Sequence, residues 1–147
     1  HPQRILDLDV IKSLVAGNAI VICCGGGGIP VVEKDNHYLG VPAVIDKDRL
    51  SALLAKEIQA DALIISTAID SVRTGFGTEK EVSHAILTIA EARGYLESGE
   101  FPAGSMGPKV SSLIDAVESV EGIKSVLCQP GDAIKALRGD SGTIITP

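Results

Sequence analysis

Three short segments hold residues that could handle an anion. Asp46-Lys47-Asp48 sets a lysine between two carboxylates, and Gly104-Ser105-Met106-Gly107-Pro108-Lys109 ends a glycine-containing turn on a second lysine. The third is an unbroken run of glycines, Gly25, Gly26, Gly27 and Gly28. Glycine lets the backbone approach an anion closely and aim its N–H groups at it. A lysine ammonium is a compact point charge suited to phosphate. Together they fit phosphate binding or phosphoryl transfer, which needs positioning and charge neutralisation more than covalent chemistry.

Each segment also has a plainer reading. The glycines could form a tight structural turn. Asp46 suits the start of a helix, where acids complement the dipole and cap N–H groups. Lys109 could be a solvated lysine. The lysines are informative as a pair, because both stand at expected helix starts, where the dipole disfavours a cation. The glycine run is not a dinucleotide fingerprint, which opens directly into a helix, because β-like Ile29-Pro30-Val31-Val32 follows it. A Walker pattern is absent as well.

Other chemistry-bearing residues are less organised. Asp70, after an apolar strand, could bind a ribose hydroxyl or cap a turn. His1, His37 and His84 are scattered and read as surface residues. Cys23, Cys24 and Cys128 form no CxxC or Cys/His cluster and read as small buried hydrophobes of a reduced, cytoplasmic protein. Arg138-Gly139-Asp140 spells an adhesion tripeptide without the context for that role. There is no G-x-S-x-G elbow for a nucleophilic serine.

The elements that must position these residues alternate between strand and helix. Asp7 or Asp9 caps a helix through Val10, Ile11, Leu14 and Val15, which ends at Gly17-Asn18. Ala19–Cys24 is a continuous apolar run, read as a buried strand. Pro30–Glu33 and Tyr38–Ile45 are extended segments around the turn Lys34-Asp35-Asn36-His37. Asp46–Gln59 is a helix, Ala62–Ser66 a buried strand, and Ser71–Gly77 irregular or a short strand. Thr88-Ile89-Ala90-Glu91 matches a capping box opening a helix to about Ser98. Pro108 suits the first turn of a helix to about Val120. Lys124–Cys128 is a strand, Asp132–Leu137 a short helix and Thr143–Thr146 a last strand. This order predicts an α/β sandwich with a mainly parallel sheet. Ligands of such sheets lie beyond the carboxyl ends of the strands. The glycine run and Thr67–Asp70 both fall there.

The chain has 147 residues, 45% of them hydrophobic and only 3% aromatic, so its core must be aliphatic. The net charge is −6, with no basic stripe. That argues against a nucleic-acid or membrane partner and makes a single loop lysine more telling. No apolar stretch is long enough to span a bilayer, and no secretory signal is visible. The chain opens His1-Pro2-Gln3-Arg4, without a starting Met, which suggests a piece of a longer protein. One domain is expected over residues 1–147.

Taken in order, Gly25-Gly26-Gly27-Gly28-Ile29-Pro30-Val31-Val32, Ala43-Val44-Ile45-Asp46-Lys47-Asp48 and Gly104-Ser105-Met106-Gly107-Pro108-Lys109-Val110 resemble carbamate kinase. Arg4-Ile5 and Gly142-Thr143 fit the same pattern, so the resemblance covers nearly the whole chain. It implies the C-terminal, ATP-binding half of an amino-acid-kinase fold, a three-layer α/β sandwich. The activity implied is reversible phosphoryl transfer between ATP and carbamate: ADP plus carbamoyl phosphate gives ATP, ammonia and carbon dioxide. By resemblance, Lys47 and Lys109 neutralise the transferring group, and Asp48 with Asp46 positions the lysines and the magnesium-bound nucleotide. Thr67, Ala68, Ile69, Asp70 and Val72 border the adenosine. Met106, Gly107 and Lys109 close on ATP, and the glycine run forms the phosphate or substrate loop. Mg2+ comes with the nucleotide rather than on a protein metal site. A cytoplasmic homodimeric parent is implied, in arginine or other carbamoyl-phosphate metabolism.

Two departures accompany the resemblance. The family chain is roughly twice as long, and its N-terminal half supplies Gly-Gly-Asn and Gly-Asn-Gly-Pro-Gln loops and a further lysine that are missing here. Ile69 also replaces valine, conservatively, in the family's usual Thr-x-Val-Asp-x-Val string, Phe76-Gly77-Thr78 recovers the pattern, and Ser71 stands where glycine or tyrosine is commoner. A nucleotide-binding module without turnover and a non-catalytic paralogue therefore stay open beside the enzyme.

Overall fold

The computed structural model describes residues 1–147. Its centre is a four-stranded sheet in the order β3-β7-β8-β6. β3 (Ala62–Ser66) runs parallel to β7 (Lys124–Cys128), β7 antiparallel to β8 (Thr143–Thr146), and β8 parallel to β6 (Ile86–Thr88). Two of the three pairings are parallel, as the strand–helix alternation predicts.

Side chains alternate across these strands and divide the core in two. Leu63, Ile65, Leu87, Leu127 and Ile145 face α2 (Lys47–Ile58), α3 (Ile89–Glu97) and α4 (Met106–Ser119) in the main cluster. Val126 and Cys128 face the other way, against Ala136 of α5 (Ala133–Arg138). The result is a three-layer sandwich with a thick and a thin helical layer. Small residues let α4 lie close to the sheet: Ser112 and Ala116 are fully buried, and Ser125 donates its hydroxyl to the Leu113 carbonyl at 2.9 Å.

Local signals account for several boundaries. Asp46 Oδ1 accepts from the N–H groups of Asp48 and Arg49, each at 3.0 Å, and so caps α2. Thr88 and Glu91 form the expected capping box at α3. β1 (Val31–Lys34) and β2 (His37–Gly40) make a hairpin. Its turn residues Asp35 and Asn36 have φ of 51° and 61°, the left-handed pair a tight two-residue turn demands.

The structure departs from these expectations in three places. Residues 19–24 form no strand, and Ile20 and Ile22 are each 98% exposed. The backbone N–H groups of Ile20, Val21 and Ile22 make no backbone hydrogen bond, because no segment of the chain lies alongside to pair with them. α1 (Leu8–Ala16) forms and ends at Gly17 as expected, but Asp7 at its N-cap makes no side-chain capping hydrogen bond, and only Ile11 of its apolar stripe is buried, since it meets little beyond the edge of α2. β5 (Val82–His84), which pairs with β4 (Val72–Thr74), and β6 occupy a stretch for which the sequence predicts no element. At three residues each they are too short to show a period.

Candidate functional site

Two helix starts meet at one carboxylate. Asp48 lies in the first turn of α2 and is only 6% exposed. Its Oδ2 accepts from Lys109 Nζ at 2.7 Å, and Lys47 Nζ stands 3.6 Å from the same oxygen. The Lys109 side chain, in the first turn of α4, is 13% exposed, whereas that of Lys47 is 57% exposed. The packing of α2 on α4 makes this convergence possible across 61 residues of sequence. A buried carboxylate thus holds one ammonium firmly and a second loosely, both beside positive helix ends.

The glycine run abuts the start of α2. Gly27 has a φ of +136°, and a Cβ there would lie 1.9 Å from the Ile45 carbonyl oxygen and 3.6 Å from the Lys47 backbone nitrogen. Only glycine allows this approach. Gly25 and Gly28 also have positive φ, of 46° and 80°, while Gly26 has open space around it. The plain reading of a tight turn and the anion-loop reading therefore meet in one place: the turn is enforced, and it lies beside Lys47.

A cavity of about 600 Å³ opens beyond the carboxyl end of β3. That volume suits a drug- or nucleotide-sized ligand. Of the residues singled out in the sequence, Thr67, Ile69, Met106 and Lys109 line it. Ala68, Asp70, Val72 and Gly107 do not. Val72 is fully buried, and its N–H donates to Thr143 Oγ1 at 2.7 Å. Gly107 is buried against the Pro102 carbonyl, where a Cβ would come within 3.3 Å. Asp70 sits at the rim, its carboxyl held below the usual range mainly by a hydrogen bond from Arg73. Asp46 is spent on capping α2 and contacts neither lysine through a hydrogen bond or ion pair.

Sequence reading missed Arg73, Glu100 and Phe101 as cavity walls. Phe76, noted only as part of a string, presents a 66% exposed ring there. In a chain with two phenylalanines, an aromatic flanked by two glycines was the available signal. Arg73 has Asp70 three residues and Glu81 eight residues away, a nearby charge pattern that went unread, whereas Glu100 gave no signal, because its partner Gly75 is 25 residues distant. A second cavity, of about 480 Å³, lies at the opposite end of the sheet between Gln59, Val120 and Lys124. It is remote from the lysines and at the amino ends of β3 and β7, where α/β ligands are not expected.

No group of three or more His, Cys, Asp or Glu is arranged to hold a metal ion. No helix is long and apolar enough to cross a membrane. Cys24 is pushed up to about 11, chiefly by burial, which disfavours a reactive thiolate.

Comparison with known proteins gives the family and the fold. The chain is 44% identical over 146 residues to a carbamate kinase of Halobacterium salinarum, covering 99% of this chain and 47% of that protein. It is 43% identical over 144 residues to carbamate kinase 2 of Staphylococcus aureus, covering 98% and 46%. The chain spans about half the length of these curated relatives. Among solved structures, carbamate kinase from Giardia lamblia bound to AMP-PNP superposes with a TM-score of 0.95 at 36% identity, covering 99% of this chain and 51% of that one. An N-acetylglutamate synthase from Neisseria gonorrhoeae, at 20% identity and a TM-score of 0.66, shares the fold. Residues 1–129 match the amino acid kinase family, and with the lysines, the glycine turn and the sandwich in place the chain belongs to that family.

Proposed function

We propose that this chain is the nucleotide-binding portion of a carbamate kinase-like phosphotransferase. Its substrates are ATP or ADP and carbamate or carbamoyl phosphate. The observation that carries the reading is the double position of Lys109, which lines the large cavity and is also the close partner of buried Asp48. A nucleoside in that cavity directs its phosphates toward Lys109 and then toward Lys47 and the glycine turn. The similarity to an AMP-PNP-bound kinase supports the same ligand class.

In the ATP-forming direction, a β-phosphate oxygen of ADP attacks the phosphorus of carbamoyl phosphate. The bond from phosphorus to the carbamoyl oxygen breaks, and carbamate leaves and decomposes to ammonia and carbon dioxide. Lys47 and Lys109 offset the charge spread over the transferring group, and Asp48 fixes where Lys109 sits. Both ammoniums lean on Asp48 Oδ2. Mg2+ would enter with the nucleotide and would supply further charge neutralisation beside the two lysines.

The chain spans half of its relatives, so the expected behaviour of the isolated chain is nucleotide binding without turnover. Calorimetry with MgADP tests the binding. Carbamoyl-phosphate-dependent ATP synthesis, assayed on the longer parent and on this chain, tests the division of labour. Lys109→Ala in the parent should lower kcat by more than roughly tenfold, and a smaller loss would refute the assigned role. Turnover by the isolated chain would refute its incompleteness.

A further inference from the structure

We infer that Arg73 is a positioning residue for the nucleoside end of the cavity, acting through two carboxylates to hold the loop that walls it. This rests on the nucleotide reading above. Arg73 lines the cavity from β4, and its guanidinium is forked. Nη2 donates to Asp70 Oδ1 at 2.9 Å, and Nη1 donates to Glu81 Oε1. The other Glu81 oxygen accepts from the Gly77 N–H at 2.8 Å. One arginine thus ties the acid at the carboxyl end of β3 to the middle of the 75–78 loop, which carries Phe76. A second tether runs from the Gly75 N–H to Glu100 Oε2 at 2.9 Å, reaching the opposite wall.

The loop needs these tethers. Gly75 and Gly77 both have positive φ, so its backbone is held in a conformation few sequences adopt, and glycine does little to hold it there. Without Arg73, Asp70 and Glu81 lose their shared counter-charge and the Gly77 clamp loses its anchor. Ser71 also donates to Asp70 Oδ1, and no hydrogen bond from the protein reaches Oδ2. Arg73 and Ser71 therefore hold a carboxylate whose second oxygen is open at the rim of the cavity. A lysine cannot replace the fork, because one ammonium does not span two carboxylates with the same geometry. None of these groups touches Lys47, Asp48 or Lys109 by hydrogen bond or ion pair. Arg73 should therefore govern the grip on the nucleoside and leave the grip on phosphate alone.

Calorimetry on the 147-residue chain with MgADP and with magnesium pyrophosphate separates the two grips. Arg73→Gln is expected to weaken MgADP about fivefold while pyrophosphate stays within about twofold, and Arg73→Lys should fall between. Arg93→Ala removes another arginine–carboxylate bridge, to Glu118, away from the cavity, and should change neither ligand. If Arg73→Gln does not fold, Glu81→Gln cuts the same clamp from its other end, with the same selective loss expected. An unchanged MgADP affinity, or equal loss of both ligands, overturns the inference. Failure of the unmodified chain to bind MgADP overturns the nucleotide reading, and this inference with it.

Discussion

Replacing Asp48 with Asn removes one charge from the point where both lysines converge. Asparagine keeps the side-chain shape, and the Asp48 N–H can still donate to the Asp46 cap, so the change reports mainly on charge. Deleting one partner of a buried pair costs about 3–5 kcal/mol, because the remaining charge stays desolvated. Lys47 is largely solvated and can swing into water, so it contributes little. Lys109 is mostly buried at 2.7 Å from the lost oxygen and keeps a small opening to the cavity, which places the loss near the lower bound, about 3 kcal/mol. For a domain of this size that is roughly 5–10 °C in Tm. Urea denaturation followed by circular dichroism measures it directly. Adding Lys109→Met should recover at least about 1 kcal/mol, because the stranded ammonium is then gone. A loss below about 1 kcal/mol for Asp48→Asn, or no recovery in the double variant, would refute the view that a buried pair organises the site.

Gly27→Ala should destabilise the fold by roughly 3 kcal/mol or more and weaken pyrophosphate binding, since its Cβ would strike the Ile45 carbonyl at the start of α2. Gly26→Ala, with open space around it, should stay within about 1 kcal/mol, and paired urea titrations make the comparison. Ile20→Lys with Ile22→Lys should leave the denaturation midpoint within about 0.5 kcal/mol of the parent and reduce self-association by light scattering, because both side chains are almost wholly exposed on an unpaired, edge-like segment.

Local chemistry made much of this protein legible in the sequence. The α2 cap at Asp46, the capping box at Thr88 and Glu91, the Asp35-Asn36 turn and the aliphatic strands β3, β7 and β8 each depend on residues within a few positions of one another. The two lysines were visible because they stand where a helix dipole disfavours them. Tertiary structure alone decided what those lysines do together. Asp48 and Lys109 are 61 residues apart, and the packing of α2 on α4 joins them. The same holds for Glu100 on Gly75, 25 residues apart, whereas the Arg73 fork joins nearby residues and needs only the β4–β5 pairing to bring Glu81 to it. The run at 19–24 gives the opposite lesson. Its composition is that of a buried strand, yet a strand exists only against a neighbour, and within this chain none lies beside it.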